Sequence, residues 1–126
     1  MKIFKISIVI ALLTAGLPAL TKAEAEKNFL TFINKSGETA LVKLVGPTRN
    51  VVQVAHNKEK MVRISSGVYR IFVRYGEPGR YRYSKGESFE IEDVPNGNIK
   101  AQLTLHGVVD GNYSVSPTDE NEFSQN

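Results

Sequence analysis

From Ile99 to His106 the chain reads Ile-Lys-Ala-Gln-Leu-Thr-Leu-His, with apolar and polar residues in strict alternation. A period of two puts Ile99, Ala101, Leu103 and Leu105 on one side of an extended strand and Lys100, Gln102, Thr104 and His106 on the other. Similar short segments recur at 29–34, 40–45, 51–55, 60–65, 68–75 and 88–94. Residues that favour turns separate them, at 35–38 (Lys-Ser-Gly-Glu), 46–50 (Gly-Pro-Thr-Arg-Asn), 56–59 (His-Asn-Lys-Glu) and 65–67 (Ser-Ser-Gly). About seven short strands spaced roughly 8 to 12 residues apart indicate an all-β domain, a single antiparallel β-sandwich or a barrel. Within it, Phe89 and Ile91 face inward and Glu90 and Glu92 face water. Segment 40–45 is apolar on both sides apart from Lys43. The Asn96-Gly97 pair is the dipeptide of a type I′ turn, so it is expected to fold 88–94 back onto 99–106 as a hairpin. No long segment has a helical period, and there is no internal repeat.

Both ends differ from this middle. Lys2 and Lys5 precede a run of fifteen mostly apolar residues, Ile6 to Leu20, broken at Pro18 and followed by small residues at Thr21, Ala23 and Ala25. This is the three-part pattern of a secretory signal peptide over residues 1–25, with cleavage expected after Ala23 or Ala25. The run is shorter than the roughly 20 apolar residues that a membrane-spanning helix needs, so no stable span is expected after cleavage. No cysteine follows it to carry a lipid. Residues 26–106 then form the β domain, and 107–126 a polar, acidic and poorly ordered tail. Within the tail, Ser116-Pro117-Thr118-Asp119 is a cap with proline at the first helical position, for one or two turns ending near Phe123.

Export changes the charge argument. The whole chain carries 16 Lys+Arg against 13 Asp+Glu, a net +3. Residues 1–25 hold Lys2, Lys5, Lys22 and Glu24, which leaves 13 basic against 12 acidic residues, or 13 against 13 if cleavage follows Ala23. A near-neutral mature chain has no global basic surface for nucleic acid. With no cysteine in the sequence, a periplasmic or extracellular destination brings no disulfides and the domain depends on sheet packing.

The stretches FINKSGETALVKLVGP (32–47) and RISSGVYRIFVRYG (63–76) resemble the secreted transthyretin-like modules grouped as carboxypeptidase-regulatory-like, and the related PEGA-type surface modules. In those a Gly-x-Tyr step opens a central strand, here Gly67-Val68-Tyr69. The pattern is also similar to small uncharacterised exported bacterial proteins with LVKLVGPT, VRYG and YSKG segments. The resemblance spans most of 29–106. It implies an immunoglobulin-like or prealbumin-like sandwich with a non-catalytic role in binding or spacing, and it lends no catalytic residue.

The residues themselves signal little catalysis. His56 lies in a turn and His106 ends a strand, without the spacing of a metal site. Glu90, Glu92 and Asp93 have the form of paired carboxylates or calcium ligands, but their alternation is that of a solvated strand face. Asp110-Gly111-Asn112 is a fragment of a calcium loop without its remaining ligands. No Gly-x-Ser-x-Gly, Walker-type or dinucleotide-binding motif occurs, and Ser65-Ser66-Gly67 reads as a turn. No metal or other cofactor is expected. Asn34-Lys35-Ser36 and Asn112-Tyr113-Ser114 fit the N-glycosylation pattern, which carries no meaning in a bacterial export pathway.

One stretch remains. RYGEPGRYRY (74–83) sets three arginines and three tyrosines around a Gly-Glu-Pro-Gly turn. Paired across a hairpin, guanidinium and phenol groups stabilise each other by about 0.5–1 kcal/mol at exposed sites. The same groups stack on sugars and bond to acidic groups of a glycan or lipid headgroup, or form a protein-partner hot spot. The expectation is a non-enzymatic exported envelope or extracellular module, binding or structural. Its candidate ligand residues are Arg74, Arg80, Tyr81, Arg82 and Tyr83, its candidate partners a glycan or an envelope protein. A cryptic hydrolase is the distant alternative, because a triad assembles in space rather than along the chain.

Overall fold

The fold is all-β, with ten strands and one short helix among the described residues of a computed structural model. It describes the backbone of residues 3–14, 26–108 and 115–126, and side chains over 26–106 and 118–126. The strands are β1 (Ile3–Thr14), β2 (Asn28–Lys35), β3 (Ala40–Val45), β4 (Asn50–Val54), β5 (Glu59–Ile64), β6 (Gly67–Tyr75), β7 (Arg82–Gly86), β8 (Phe89–Ile91), β9 (Gly97–Val108) and β10 (Val115–Thr118); α1 is Glu120–Gln125. One sheet runs β1-β9-β2-β5 and the other β10-β7-β6-β3-β4, with β8 also paired to β6.

Alternate positions of both sheets meet in one buried cluster. Leu30 and Phe32 of β2, Ile64 of β5 and Ile99, Ala101, Leu103 and Leu105 of β9 join Val42 and Leu44 of β3, Val54 of β4 and Tyr69, Ile71, Val73 and Tyr75 of β6. Each large aliphatic or aromatic side chain buried here contributes about 1.5–3 kcal/mol, the stabilisation that a cysteine-free domain has to rely on. The inward and outward sets expected for β8 and β9 are as the alternation implies: Ile91 is buried and Glu90 exposed, while Lys100 and Gln102 are exposed.

The connectivity departs from the sequence expectation in three places. The 88–94 segment does not pair with 99–106. Its strand is only Phe89–Ile91 and pairs antiparallel with Gly67–Tyr69 of β6. The intervening turn closes with Gly97 N–H donating to the Val94 carbonyl (3.2 Å), and the residue at positive φ is Asn96 (59°). Proline at the first central position and asparagine at positive φ at the second is type II chemistry. Pro95-Asn96 sets this turn, rather than Asn96-Gly97, and carries the chain from one sheet to the other. Second, the fold is not purely antiparallel, because β2 and β9 pair parallel from Phe29 opposite Lys100 to Lys35 opposite His106. Third, the C-terminal region is built into the fold: β10 pairs with β7, from Val115 opposite Gly86 to Thr118 opposite Tyr83. Ser116 and Pro117 are strand residues, and the helix cap is Asp119, whose carboxylate accepts from Glu122 N–H at 2.8 Å.

The expected cleavage positions at Ala23 and Ala25, and the Asp110-Gly111-Asn112 and Asn112-Tyr113-Ser114 motifs, lie outside the described residues. No helix among the described residues is long and apolar enough to cross a membrane.

Candidate functional site

The Arg/Tyr stretch is a hairpin. β6 and β7 pair with Arg74 opposite Tyr83 and Tyr75 opposite Arg82. Between them, Glu77-Pro78-Gly79-Arg80 closes with Arg80 N–H donating to the Glu77 carbonyl (2.9 Å). Gly79 has φ +86°, the left-handed conformation that the second central residue of a type II turn requires and glycine supplies without strain. Gly76 N–H donates to the Thr39 carbonyl (2.9 Å), which ties this loop to the neighbouring 36–39 turn.

Because successive side chains alternate, the pairing sorts the five candidate residues onto two sides. Arg74 and Tyr83 share the outward side of the second sheet with Leu41 and Gln53, one row running across β4, β3, β6 and β7. The Arg74 guanidinium lies over the Tyr81 ring, 4.0 Å from its centroid. Tyr81 meets Tyr83 edge-on at 6.3 Å, and Tyr83 leans on Phe123 at 5.3 Å. Arg82 instead forms an ion pair with Glu38 on the other side of the hairpin, and Arg80 is exposed on the turn. The structure therefore brings Arg74, Tyr81 and Tyr83 together and directs Arg80 and Arg82 elsewhere.

Two shallow clefts flank the turn. One, of about 300 Å³, is walled by Thr39, Leu41, Gln53, Arg74, Pro78 and Tyr81. The other, of about 320 Å³, takes in Glu38, His56, Glu77 and Arg80. They meet at Thr39, Gly76 and Glu77. The first combines the stacked Arg74–Tyr81 pair with the side-chain amide and hydroxyl of Gln53 and Thr39, groups that suit a hydroxyl-rich or anionic ligand. The second mixes charges of both signs. In it His56 Nδ1 accepts from Gly37 N–H (2.9 Å).

Gln53, Thr39 and Leu41 were not legible as site residues in the sequence, since the β3–β6 register sets Leu41 opposite Arg74, the β3–β4 register sets Gln53 beyond it, and Thr39 comes in through its carbonyl's bond from Gly76 N–H. Phe123 was missed for the same reason. Helix α1 lies over the outward side of β3 and β7, where Lys43 Nζ donates to the Phe123 carbonyl (2.7 Å) and sits 5.0 Å from the centre of its ring. Lys85 bonds to Glu122 (3.0 and 3.1 Å). Phe72, which falls between Lys43 and Lys85 in the same cross-strand row, is only 3% exposed.

The electrostatics follow from this packing. Burial pushes the Tyr83 phenol above its usual range and the Glu120 charge adds to the shift, while Arg74 opposes it; Tyr83 stays a neutral hydroxyl at physiological pH. Burial likewise raises the Tyr75 phenol, with the neighbouring Ser84 hydroxyl opposing the shift. Thr118 hydroxyl donation, and then Lys85, hold the Glu122 carboxyl below its ordinary value.

The other candidates separate on burial and partners. Glu90, Glu92 and Asp93 are exposed, and Asp93 pairs with Lys27 at 3.4 Å. Among the described residues no group of three or more His, Asp or Glu is placed to hold a metal ion. Asn34 is fully buried, with its amide donating to the Glu38 and Val54 carbonyls (2.7 and 2.8 Å) and its oxygen accepting from Ser36 N–H and Oγ (3.0 and 2.6 Å). In the folded chain it is a turn-fixing residue, closed to glycosylation.

No protein-family model, no curated protein and no solved structure matches this chain.

Proposed function

We propose that this chain is an exported, non-enzymatic binding module, a β-sandwich of the immunoglobulin-like or prealbumin-like kind. Its cleft at Arg74 and Tyr81 takes an acidic glycan. Export is supported by the leader pattern of residues 1–25. The observation that carries the ligand class is the Arg74 guanidinium stacked 4.0 Å from the Tyr81 ring centre in the wall of an open cleft that also offers Gln53 and Thr39. A carboxylate or sulfate pairs with the guanidinium, the sugar ring packs against Tyr81 on the side away from Arg74, and hydroxyls bond to the amide and threonine. Single-stranded nucleic acid would use similar groups, but a near-neutral mature chain disfavours it.

The second reading is that Arg74 and Tyr81 only stabilise the hairpin, a reading favoured by the ring contacts that run on through Tyr83 to Phe123. A thermal-shift screen of the exported protein against acidic and neutral oligosaccharides, lipid headgroups and oligonucleotides separates the two. A ligand at 100 times its Kd adds about 2.7 kcal/mol, or roughly 10–20 °C for a domain of this size. The expected result is a shift by acidic oligosaccharides that disappears in the Arg74→Ala/Tyr81→Ala double variant. The comparison is made on the ligand-dependent shift, because losing the stacked pair itself costs about 0.5–1 kcal/mol. A shift that survives the double substitution, or none with any glycan, rejects the cleft as the site.

A further inference from the structure

The apolar segment at the start of the chain lies along β9. β1 pairs antiparallel with the whole of that strand, from Ile3 opposite Val108 to Thr14 opposite Gly97. The register sets Ile6, Ile8, Ile10 and Leu12 opposite Leu105, Leu103, Ala101 and Ile99, the β9 residues that are buried in the core. Residues directly opposite in an antiparallel ladder are paired in register, so positions 6, 8, 10 and 12 of β1 match the buried row of β9, and all four are aliphatic in the sequence. These are also the residues of the expected leader, and cleavage after Ala23 or Ala25 removes them together with β1.

What this leaves can be compared with the other sheet edges. β5 carries exposed Glu59, Lys60 and Arg63. β4 has five residues, and β10 has four, one of them Pro117. Charge, brevity and proline are the devices by which edge strands resist pairing with other chains. β9 has none of them: it is twelve residues long, has no proline and carries Lys100 as its one charged side chain with histidine neutral. Without β1, its outward N–H and C=O groups form an open template beside an apolar core side.

We propose that the edge of β9 uncovered by leader removal is a strand-acceptor site for a partner protein. The partner supplies an extended segment running antiparallel to β9, with aliphatic residues at the alternate positions opposite Leu105, Leu103, Ala101 and Ile99. Main-chain hydrogen bonds give such strand addition its affinity, and the alternate side chains give it specificity. β1 defines the chemistry of the occupant, because it satisfies both requirements in this register. The inference rests on the export reading above.

The test uses the protein purified after export. Intact mass fixes its N-terminus, light scattering its oligomeric state, and hydrogen exchange reports the alternate amides of 97–108 that point away from β2. The probe is a synthetic peptide of residues 3–14 with lysines added at both ends for solubility. The expected result is a monomer starting at Glu24 or Glu26 whose outward β9 amides exchange readily, and whose exchange the peptide slows at least about tenfold. A peptide carrying Ile8→Asp and Ile10→Asp is expected to give no protection. A mass that still includes 3–14 overturns the export reading and the site together. With the leader gone, three results overturn the site alone: β9 amides already protected in a monomer, protection through a dimer of this chain, or indifference to the peptide.

Discussion

Gly46→Ala tests the packing logic of the second sheet at one atom. A Cβ at position 46 falls 2.3 Å from Cδ1 and 2.7 Å from Cε1 of Tyr69, and 2.8 Å from the Val68 carbonyl oxygen. Real Cβ contacts are never so short, so either the ring or the backbone has to move. The ring is held at both ends: it stacks on Phe89 at 6.0 Å, while its hydroxyl donates to the Ser65 carbonyl (2.8 Å) and accepts from Thr48 N–H (3.3 Å). Overpacking of this kind costs about 1–3 kcal/mol, and displacing the hydroxyl from its partners adds about 1 kcal/mol. Gly46 is not among the glycines at positive φ, so alanine also gains about 0.4–1 kcal/mol by restricting the unfolded chain. The net expectation is a loss of about 2–3 kcal/mol. Urea unfolding of the variant should show a lower midpoint at unchanged slope. In a Tyr69→Leu background, where the contacting ring carbons are gone, the same substitution should cost at least about 1 kcal/mol less. A loss below about 0.5 kcal/mol in the wild-type background, or full additivity with Tyr69→Leu, refutes the reasoning.

Further expectations follow from single contacts. Asn34→Ala leaves Ser36 and the Glu38 and Val54 carbonyls without their buried partner and should cost about 2–4 kcal/mol by urea unfolding. Asp119→Ala removes the bond to Glu122 N–H and should weaken α1 by about 1 kcal/mol, read as faster amide exchange over 120–125. Thr118 and Lys85 hold the Glu122 carboxyl below its ordinary 4.5, so its contribution to docking α1 is complete above that value and is lost as pH falls through the lower folded value. NMR shifts of the Phe123 and Tyr83 rings should report that acid transition, and Glu122→Gln should abolish it.

The sequence carried the strands well where a period of two met a turn signal, as at 99–106, because burial of one sheet face demands alternation there. It failed at the 94–97 turn, where Pro95-Asn96 and Asn96-Gly97 offer competing turn chemistries and only the destination of the following strand decides between them. β7 was hidden by its polar sequence, Arg-Tyr-Ser-Lys-Gly. Its place comes from pairing with β6 and β10 rather than from an apolar face of its own. The C-terminal region read as a tail because Phe123, its one buried anchor among the described residues, finds its partners more than thirty residues away at Tyr83 and Lys43. The candidate site was half legible. Composition pointed to Arg74 and Tyr81, but Arg82 is engaged with Glu38, and Gln53 joins the cleft through a cross-strand register that no local pattern encodes.

The central claim is that the Arg74–Tyr81 cleft binds an acidic glycan, and a ¹H–¹⁵N NMR titration of the purified protein with a uronic-acid oligosaccharide tests it most directly. The account predicts saturable shifts concentrated at Thr39, Leu41, Gln53, Arg74, Gly76 and Tyr81, all abolished by Arg74→Ala with Tyr81→Ala. Shifts centred elsewhere on the molecule, or unchanged by the double substitution, contradict it.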